Sequence, residues 1–196
     1  MNENENSRPV IIVSGLPRTG TSMMMKMLET GGVSVLVDYK RKPDQDNPKG
    51  YYEYEQVKGL KDGEDNWVEK ARGKAVKVIA TLLPFLPVNY KYKVIFMERE
   101  MDEVLASQRK MLINRGEDPN KVSEQELEKI FGKHLNDILE FLENSSNMEY
   151  VRVNYNQILL DPRPEIEKVQ SFLEARMSPD KMVGVIDTKL YRQRAD

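Results

Sequence analysis

Short runs of consecutive apolar residues alternate along the chain with stretches whose apolar residues recur every three or four positions. The first run, residues 10–14 (VIIVS), begins with four apolar residues, which predicts a strand buried on both faces of a sheet. Similar runs predict further strands at residues 33–37, 75–80, 94–97 and 150–153. Strands that alternate with helices form a parallel sheet with helices on both faces, so the predicted class is a three-layer α/β fold.

Helical spacing predicts a first helix at residues 21–29, ended by Gly31 and Gly32, and further helices at 102–114, from Ser123 onward, and at 164–175. Ser123 and Glu126 have the spacing of a capping box, in which each side chain binds a free backbone amide of the other residue. Weaker helical patterns occur at 53–60 and 66–72, and residues 39–50 predict a loop. One apolar face is predicted for the Ser123 helix, from Leu127, Ile130, Phe131, Ile138, Leu139 and Leu142.

The composition is that of one globular domain. The chain has 196 residues, of which 39% are hydrophobic and 32% charged. That length is enough for one sizeable core, so residues 9–196 are predicted to form a single domain after a disordered terminus at 1–8. The formal net charge of −2 gives no sign of a nucleic-acid partner or an anionic membrane surface, so any anion site must come from local geometry.

Several classes of site are excluded by residue counts. The chain contains no cysteine and one histidine, which excludes disulfides, thiolate metal sites and a multi-histidine zinc site. No metal site is therefore predicted. No apolar run approaches the roughly 20 residues of a membrane span, and the polar start MNENENSR lacks the apolar part of a signal peptide, so a cytoplasmic protein is expected.

The strongest candidate for chemistry is the turn GLPRTGTS at residues 15–22, between the first strand and the first helix. Glycines in such a turn let backbone N–H groups surround a phosphate, and the helix N-terminus adds free amides with partial positive charge. The sequence therefore predicts a phosphate-binding loop, or P-loop. Its predicted ligand-binding residues are Gly15, Pro17, Arg18, Thr19, Gly20, Thr21 and Ser22.

The loop lacks the lysine of ATP-binding P-loops. Thr21 stands where that lysine reaches the terminal phosphates, and Arg18 supplies a positive charge from within the loop. The segment VSGLPRTGTSMMMKML resembles the 5′-phosphosulfate loop of sulfotransferases, which use 3′-phosphoadenosine 5′-phosphosulfate (PAPS) and release the bisphosphate PAP. The resemblance implies that Arg18 contacts the sulfuryl group and the bridging oxygen, and that Gly20, Thr21 and Ser22 hold the 5′-phosphate.

A second segment resembles the same family. Its members have a strand that ends in Arg and a helix with Ser eight residues later, and the two side chains bind the 3′-phosphate of the nucleotide. Here VIFMER is followed by EMDEVLAS, so Arg99 and Ser107 have this spacing, although Met101 stands where the family often has Pro. An arginine and a hydroxyl in this arrangement suit a phosphate physically as well.

Weaker similarities extend the resemblance to roughly residues 10–175. The stretch AVK at 75–77 followed by TLLP at 81–84 is similar to the family segment whose lysine faces the sulfuryl group or acceptor, which implies such a role for Lys77. In the hormone-type enzymes a His two residues later is the base, and here Ile79 stands there. The closing segments VRVNY, LDP and FL also fit the family pattern.

The general base is the open question in the sequence. Sulfuryl transfer needs a group that takes the proton of the acceptor hydroxyl or amine. Asp38 ends the predicted second strand, and tyrosylprotein sulfotransferases place a carboxylate base at a similar distance after the loop, but a turn-forming Asp fits equally. Glu53 lies in an aromatic-rich segment that suits an acceptor pocket or a core cover, and His134 is the remaining candidate.

Two other functions stay open at this stage. One is a P-loop kinase or NTPase that uses ATP and Mg²⁺, since residues 94–98 end in Glu98 like a metal-binding strand. The other is a non-catalytic nucleotide-binding protein. The sequence favours a PAPS-dependent sulfotransferase with a small-molecule or carbohydrate acceptor, and leaves open the oligomeric state and whether the basic segment 191–194 covers the nucleotide.

Overall fold

A computed structural model describes residues 8–187 of the chain; the basic segment 191–194 lies outside this range. Its four strands are β1 (Val10–Gly15), β2 (Ala75–Lys77), β3 (Tyr92–Glu98) and β4 (Met148–Asn154). They form one sheet in the order β2-β1-β3-β4, and every pair is parallel. All six residues of β1 are buried, as its apolar sequence requires of a central strand.

Helices connect the strands, as expected for parallel neighbours. The α-helices are α1 (Thr21–Gly31), α2 (Met101–Asn114), α3 (Glu124–Asn144), α4 (Tyr155–Leu160), α5 (Pro162–Leu173) and α6 (Pro179–Val183). Three 3-10 helices cover Glu55–Asp62, Glu69–Ala71 and Ala80–Phe85. Gly32 ends α1 with φ 107°, and Ser123 and Glu126 form the predicted capping box at the start of α3.

Two hydrophobic cores lie on the two faces of the sheet. Alternate residues of β1 divide between them, with Ile12 in one and Val13 in the other. The first core is closed by Trp67 and by Leu142 of α3, and the second by the methionines of α1 and by Ile166 of α5. The predicted three-layer α/β fold is thereby confirmed.

The predicted strand at residues 33–37 is wrong. This segment makes a single bridge, between Val35 and Ala75, with hydrogen bonds of 2.8 Å from Leu36 N to Ala75 O and from Ala75 N to Ser34 O. β2 has only three residues and stops at Lys77, so it offers the segment too short an edge for a full strand. The weak helical patterns at 53–60 and 66–72 are 3-10 helices.

The predicted apolar face of α3 is partly wrong. Phe131, Ile138 and Leu142 are buried, but Ile130 is 44% exposed, and His134 is exposed and lines no cavity. Over residues 8–187, no helix combines the length and the apolar character needed to cross a membrane. The cytoplasmic location and the division into residues 1–8 and 9–196 stay predictions.

Candidate active site

The carboxyl ends of β1, β2 and β3 meet at one edge of the sheet and open into a cavity of about 390 Å³. This is within the range of small-molecule sites and is the position where parallel sheets bind ligands. Every strand that ends here contributes residues to the lining. The lining includes Gly15 at the end of β1 with Arg18 after it, Lys77 at the end of β2 with Ile79 after it, and Arg99 after β3.

The turn at residues 15–22 can form only with glycine at two positions. A Cβ on Gly15, whose φ is 149°, would lie 2.5 Å from the carbonyl oxygen of Met97 on the neighbouring strand. A Cβ on Gly20, whose φ is 92°, would lie 2.4 Å from the ring of Tyr155. The glycines therefore allow the loop to lie directly against β3 and α4.

The loop presents free backbone donors to the cavity. Within residues 8–187, no protein acceptor binds the backbone N–H groups of residues 18–23, and the first bond of α1 runs from Met24 N to Gly20 O. Thr19 Oγ1 binds Leu16 O at 2.7 Å, which stabilises the turn; Thr19 itself does not line the cavity. Unpaired amides at a helix N-terminus are an anion site.

Arg18, Arg99 and Ser107 meet on one side of this loop. Arg18 Nε donates to Ser107 Oγ at 2.9 Å, and Arg99 Nη1 donates to the carbonyl oxygen of Arg18 at 3.2 Å. Arg18 has φ 71°, an uncommon conformation for a non-glycine residue, which the surrounding contacts hold in place. The structure thus brings together the two segments that the sequence singled out separately.

Arg99 is fixed from two further sides. Its Nε donates to the carboxylate of Glu103 at 2.8 Å, and Glu103 is only 2% exposed. The ring of Tyr155 lies 4.7 Å from the guanidinium, which suits a cation–π contact. An arginine held this way loses little conformational freedom when it binds a ligand.

Lys77 forms the opposite wall of the cavity. Its Nζ donates to the carbonyl oxygen of Tyr51, to Ser22 Oγ at 3.3 Å and to Glu53 Oε1 at 3.4 Å. Burial lowers the pKa of Lys77 to about 8, against the opposing attraction of Glu53. The lysine therefore carries its charge at neutral pH and loses it in mildly alkaline solution.

Comparison with known proteins identifies this arrangement. The model of the sulfotransferase domain family matches residues 8–192. The chain belongs to the sulfotransferase family. It is accordingly an enzyme, and its fold is that of the family. No curated protein sequence matches it at a significant level.

Solved sulfotransferases share the fold at low sequence identity. STF9 from Mycobacterium avium has a TM-score of 0.59 at 11% identity, over 97% of this chain and 69% of that one. Mouse SULT7A1, solved in complex with PAP, has a TM-score of 0.56 at 15% identity, over 100% and 68%. The sulfotransferase domain of the Synechococcus PCC 7002 olefin synthase has 0.56 at 13%, over 99% and 82%.

The two carboxylates predicted as bases occupy different places in this sulfotransferase. Glu53 lines the cavity, and its Oε1 accepts from Arg41 Nη1 at 2.9 Å as well as from Lys77. Asp38 does not line it: its carboxylate accepts from the backbone N–H of Lys40 at 3.1 Å and of Glu55 at 2.8 Å. Burial would raise the pKa of Asp38, but these backbone bonds outweigh it and lower the pKa.

The acid of the kinase alternative also lies elsewhere. Glu98 pairs with Arg152, with an Nη2–Oε1 distance of 2.8 Å, and does not line the cavity. Within residues 8–187, no group of three or more His, Cys, Asp or Glu side chains is placed to hold a metal ion.

Sequence reasoning missed a set of lining residues that come from the loop before Tyr51 and from α2. Asn47 Nδ2 donates to Ser22 Oγ at 3.0 Å, and Asn114 Nδ2 donates to Asp46 Oδ1 at 2.6 Å. Lys110, Met111 and Asn114 of α2 line the cavity together with Arg115, which directly follows the helix. Their spacing of three and four residues, counted from Ser107, was a readable signal for this face.

The cavity carries a large excess of positive charge. Eight basic residues line it against three acidic ones, although the chain as a whole has a net charge of −2. The basic residues are Arg18, Lys26, Arg41, Lys49, Lys77, Arg99, Lys110 and Arg115. The charge therefore suits polyanionic ligands.

Proposed function

We propose that this enzyme transfers the sulfuryl group of PAPS to a hydroxyl or amine of a small-molecule or carbohydrate acceptor and releases PAP. One observation carries the proposal: Arg18 and residues 20–23, whose backbone amides are free, line the same cavity as Arg99 and Ser107. PAPS has a phosphate at each of two positions of its ribose. The loop amides provide one anion site, and Arg99 with Ser107 provides the other.

The phosphate loop suits the 5′-phosphate. Its free amides, with the hydroxyls of Thr21 and Ser22, offer hydrogen bonds at the positive end of α1. Gly15 and Gly20 allow the backbone conformation of the loop, and Thr19 stabilises it through its hydrogen bond to Leu16 O. Pro17 lines the cavity. In our proposal these residues hold the leaving phosphate in line with the acceptor.

Arg99 and Ser107 suit the 3′-phosphate. Arg99 is already oriented by Glu103 and Tyr155, and Ser107 is 6% exposed with its hydroxyl on Arg18. Arg18 lies between the two phosphate sites, so its charge stabilises both groups. Charge-assisted hydrogen bonds of this kind are roughly twice as strong as neutral ones.

The transfer step needs a cation beside the sulfuryl group and a base for the acceptor proton. The acceptor oxygen attacks sulfur, the bond from sulfur to the bridging oxygen breaks, and PAP leaves with that electron pair. Lys77, with Arg18, stabilises the charge that develops on the bridging oxygen. Glu53, which is 3.4 Å from Lys77, takes the acceptor proton.

Glu53 is a better base than Asp38 in this geometry. Glu53 lines the cavity, whereas both carboxylate oxygens of Asp38 accept backbone hydrogen bonds that hold the turn next to Glu53. Asp38 is therefore assigned the role of a positioning residue. The proposal keeps the predicted catalytic residues Arg18, Lys77 and Glu53.

The first test compares two nucleotides by thermal unfolding. PAP at 100 times its Kd should raise the free energy of unfolding by about 2.7 kcal/mol, and ATP with Mg²⁺ should do less. A stabilisation by ATP and Mg²⁺ alone would contradict the proposal and favour a kinase.

The second test addresses catalysis. Transfer of radiolabelled sulfuryl from PAPS to a panel of hydroxyl and amine acceptors should be detectable with wild type and lost in Glu53→Gln, while PAP binding stays. Glu55→Gln is the matched control, because Glu55 is two residues away and does not line the cavity. Binding of PAP without transfer to any acceptor would instead indicate a non-catalytic protein.

A further inference from the structure

A second cavity adjoins the first on the side of Glu53. It has a volume of about 170 Å³ and shares Arg41, Lys49, Gly50, Tyr51 and Glu53 with the main cavity. The shared residues include the proposed base Glu53, which contacts Lys77, so both cavities reach Glu53. An acceptor whose hydroxyl reaches Glu53 therefore has room for its remaining atoms in this second cavity.

The second cavity is basic and aromatic. Its lining contains Arg41, Lys42 and Lys49 as cations, Glu53 as the single acid, and three tyrosines. None of these three cations belongs to the phosphate loop or to the Arg99–Ser107 pair. The positive charge here consequently lies outside both proposed phosphate sites.

Arg41 is oriented for a ligand. Its guanidinium lies over the ring of Tyr51 at 3.3 Å, and the hydroxyl of Tyr51 donates to Asp44 at 2.7 Å, which fixes the ring. One of its five N–H groups binds Glu53, and no other acceptor for it exists in residues 8–187. A stacked guanidinium keeps its in-plane donors free, which suits a carboxylate or phosphate.

The two neighbouring lysines differ in the partners that their ammonium groups already have. Lys49 Nζ donates to Val185 O at 3.0 Å and lies 3.4 Å from the carboxylate of Asp187. Lys42 is exposed and has no hydrogen-bond or ion-pair partner in the described chain. Arg41 and Lys42 together therefore provide unused donors on one side of Glu53.

We infer that the acceptor carries an anionic group, a carboxylate or a phosphate or sulfate ester, that binds Arg41 and Lys42 while its hydroxyl or amine lies at Glu53. This inference rests on the proposed function and names the substrate class of the same site. It assigns acceptor selection to the two cations and to the second cavity.

The same contact has a consequence for the base. Arg41 and Lys77 both donate to Glu53 Oε1, which holds this carboxylate in an ion pair. An acceptor anion competes with Glu53 Oε1 for Arg41, so that oxygen loses one of its two hydrogen bonds. Arg41 also helps lower the pKa of Lys77, so neutralising Arg41 favours the charged form of the lysine.

The experiment uses matched acceptors that differ in one anionic group. We compare glucuronate with glucose, glucose 6-phosphate with glucose, and 4-hydroxyphenylacetate with its amide, in transfer from radiolabelled PAPS and in binding to the PAP-loaded protein. The carboxylate and phosphate pairs distinguish the two sources of charge. The variants are Arg41→Gln/Lys42→Gln and, as a control, Lys129→Gln/Lys133→Gln, two exposed lysines of α3 outside both cavities.

We expect at least a tenfold preference for an anionic member in kcat/KM or in binding. The preference should fall to about one in Arg41→Gln/Lys42→Gln, with PAP binding intact, and should persist in the control. Three outcomes would overturn the inference. The neutral members could be used as well as the anionic ones or better, the preference could be unchanged in Arg41→Gln/Lys42→Gln, or no anionic member could bind or accept the sulfuryl group. If PAP still binds, these outcomes contradict the acceptor class and leave the proposed nucleotide site unaffected. If PAP does not bind, the proposed function itself is contradicted.

Discussion

The side chains of Arg18 and Ser107, which are 89 residues apart, are joined by a hydrogen bond of 2.9 Å from Arg18 Nε to Ser107 Oγ. The bond connects the loop after β1 to the second turn of α2, and Arg99 completes it by donating to the carbonyl oxygen of Arg18. The resemblance to sulfotransferases implied that Arg18 contacts the sulfuryl group. Here the bond to α2 uses only Nε of its guanidinium, so Arg18 can keep Ser107 while its terminal nitrogens face the cavity.

Replacing Ser107 should weaken binding of the 3′-phosphate without weakening binding of the 5′-phosphate. Ser107→Ala removes a hydrogen bond to a charged group, worth about 1.5–3 kcal/mol, so the Kd for PAP should rise at least about tenfold. The Kd for adenosine 5′-phosphosulfate, which lacks the 3′-phosphate, should change little. Titration calorimetry measures both, with Ser171→Ala on the exposed side of α5 as the control. An equal loss for both nucleotides would place Ser107 elsewhere in the site.

Arg99 should have a structural role that can be separated from binding. Arg99→Ala breaks the ion pair with the carboxylate of Glu103, which is 2% exposed, and we expect a loss of about 3–5 kcal/mol in the free energy of unfolding. Arg99→Ala/Glu103→Gln also removes the buried carboxylate charge and should recover part of that loss. Neither variant should bind PAP in a thermal-shift assay. Recovery of PAP binding in the double variant would contradict the assigned role of Arg99.

Lys77 should make the stability of the free protein depend on pH. Its pKa is about 8 in the folded state against 10.5 in the unfolded chain, so between these values the unfolded chain binds more protons. The free energy of unfolding contributed by Lys77 therefore rises as the pH increases from about 8 to 10.5. Urea unfolding of wild type and Lys77→Met across this range tests it: the free energy of unfolding of wild type minus that of Lys77→Met should rise toward high pH. A constant difference would show that the lysine does not titrate in this window.

Gly20 should be irreplaceable for steric reasons beyond its backbone angle. Its Cβ would meet the ring of Tyr155 at 2.4 Å, so Gly20→Ala must displace the ring or the loop and should abolish PAP binding. Gly32→Ala is the matched control, because Gly32 has φ 107° and nothing within 4 Å of its Cβ position. The control should lose roughly 1 kcal/mol of stability from backbone strain and keep PAP binding. Normal binding by Gly20→Ala, measured by thermal shift with PAP, would show that the loop does not need this close approach.

The local elements of the site were readable from the sequence. β1, the loop and α1 follow one another without interruption, so apolar runs and glycines specify them through neighbouring residues alone. Ser123 and Glu126 are likewise three residues apart and form the expected capping box. The strand predicted at 33–37 failed because strand formation depends on a partner edge, and the three residues of β2 supply only one bridge.

The sequence by itself determined the α/β class, the glycine turn at residues 15–22 and the spacing of Arg99 and Ser107, since each depends on residues close together in the chain. The tertiary structure alone decided which distant residues meet. It placed Glu53 in the cavity and Asp38 outside it, and it laid Arg41 over Tyr51 beside Lys77. The loop before Tyr51 has no regular period, so its path depends on contacts with the sheet edge and α2, which no local pattern records.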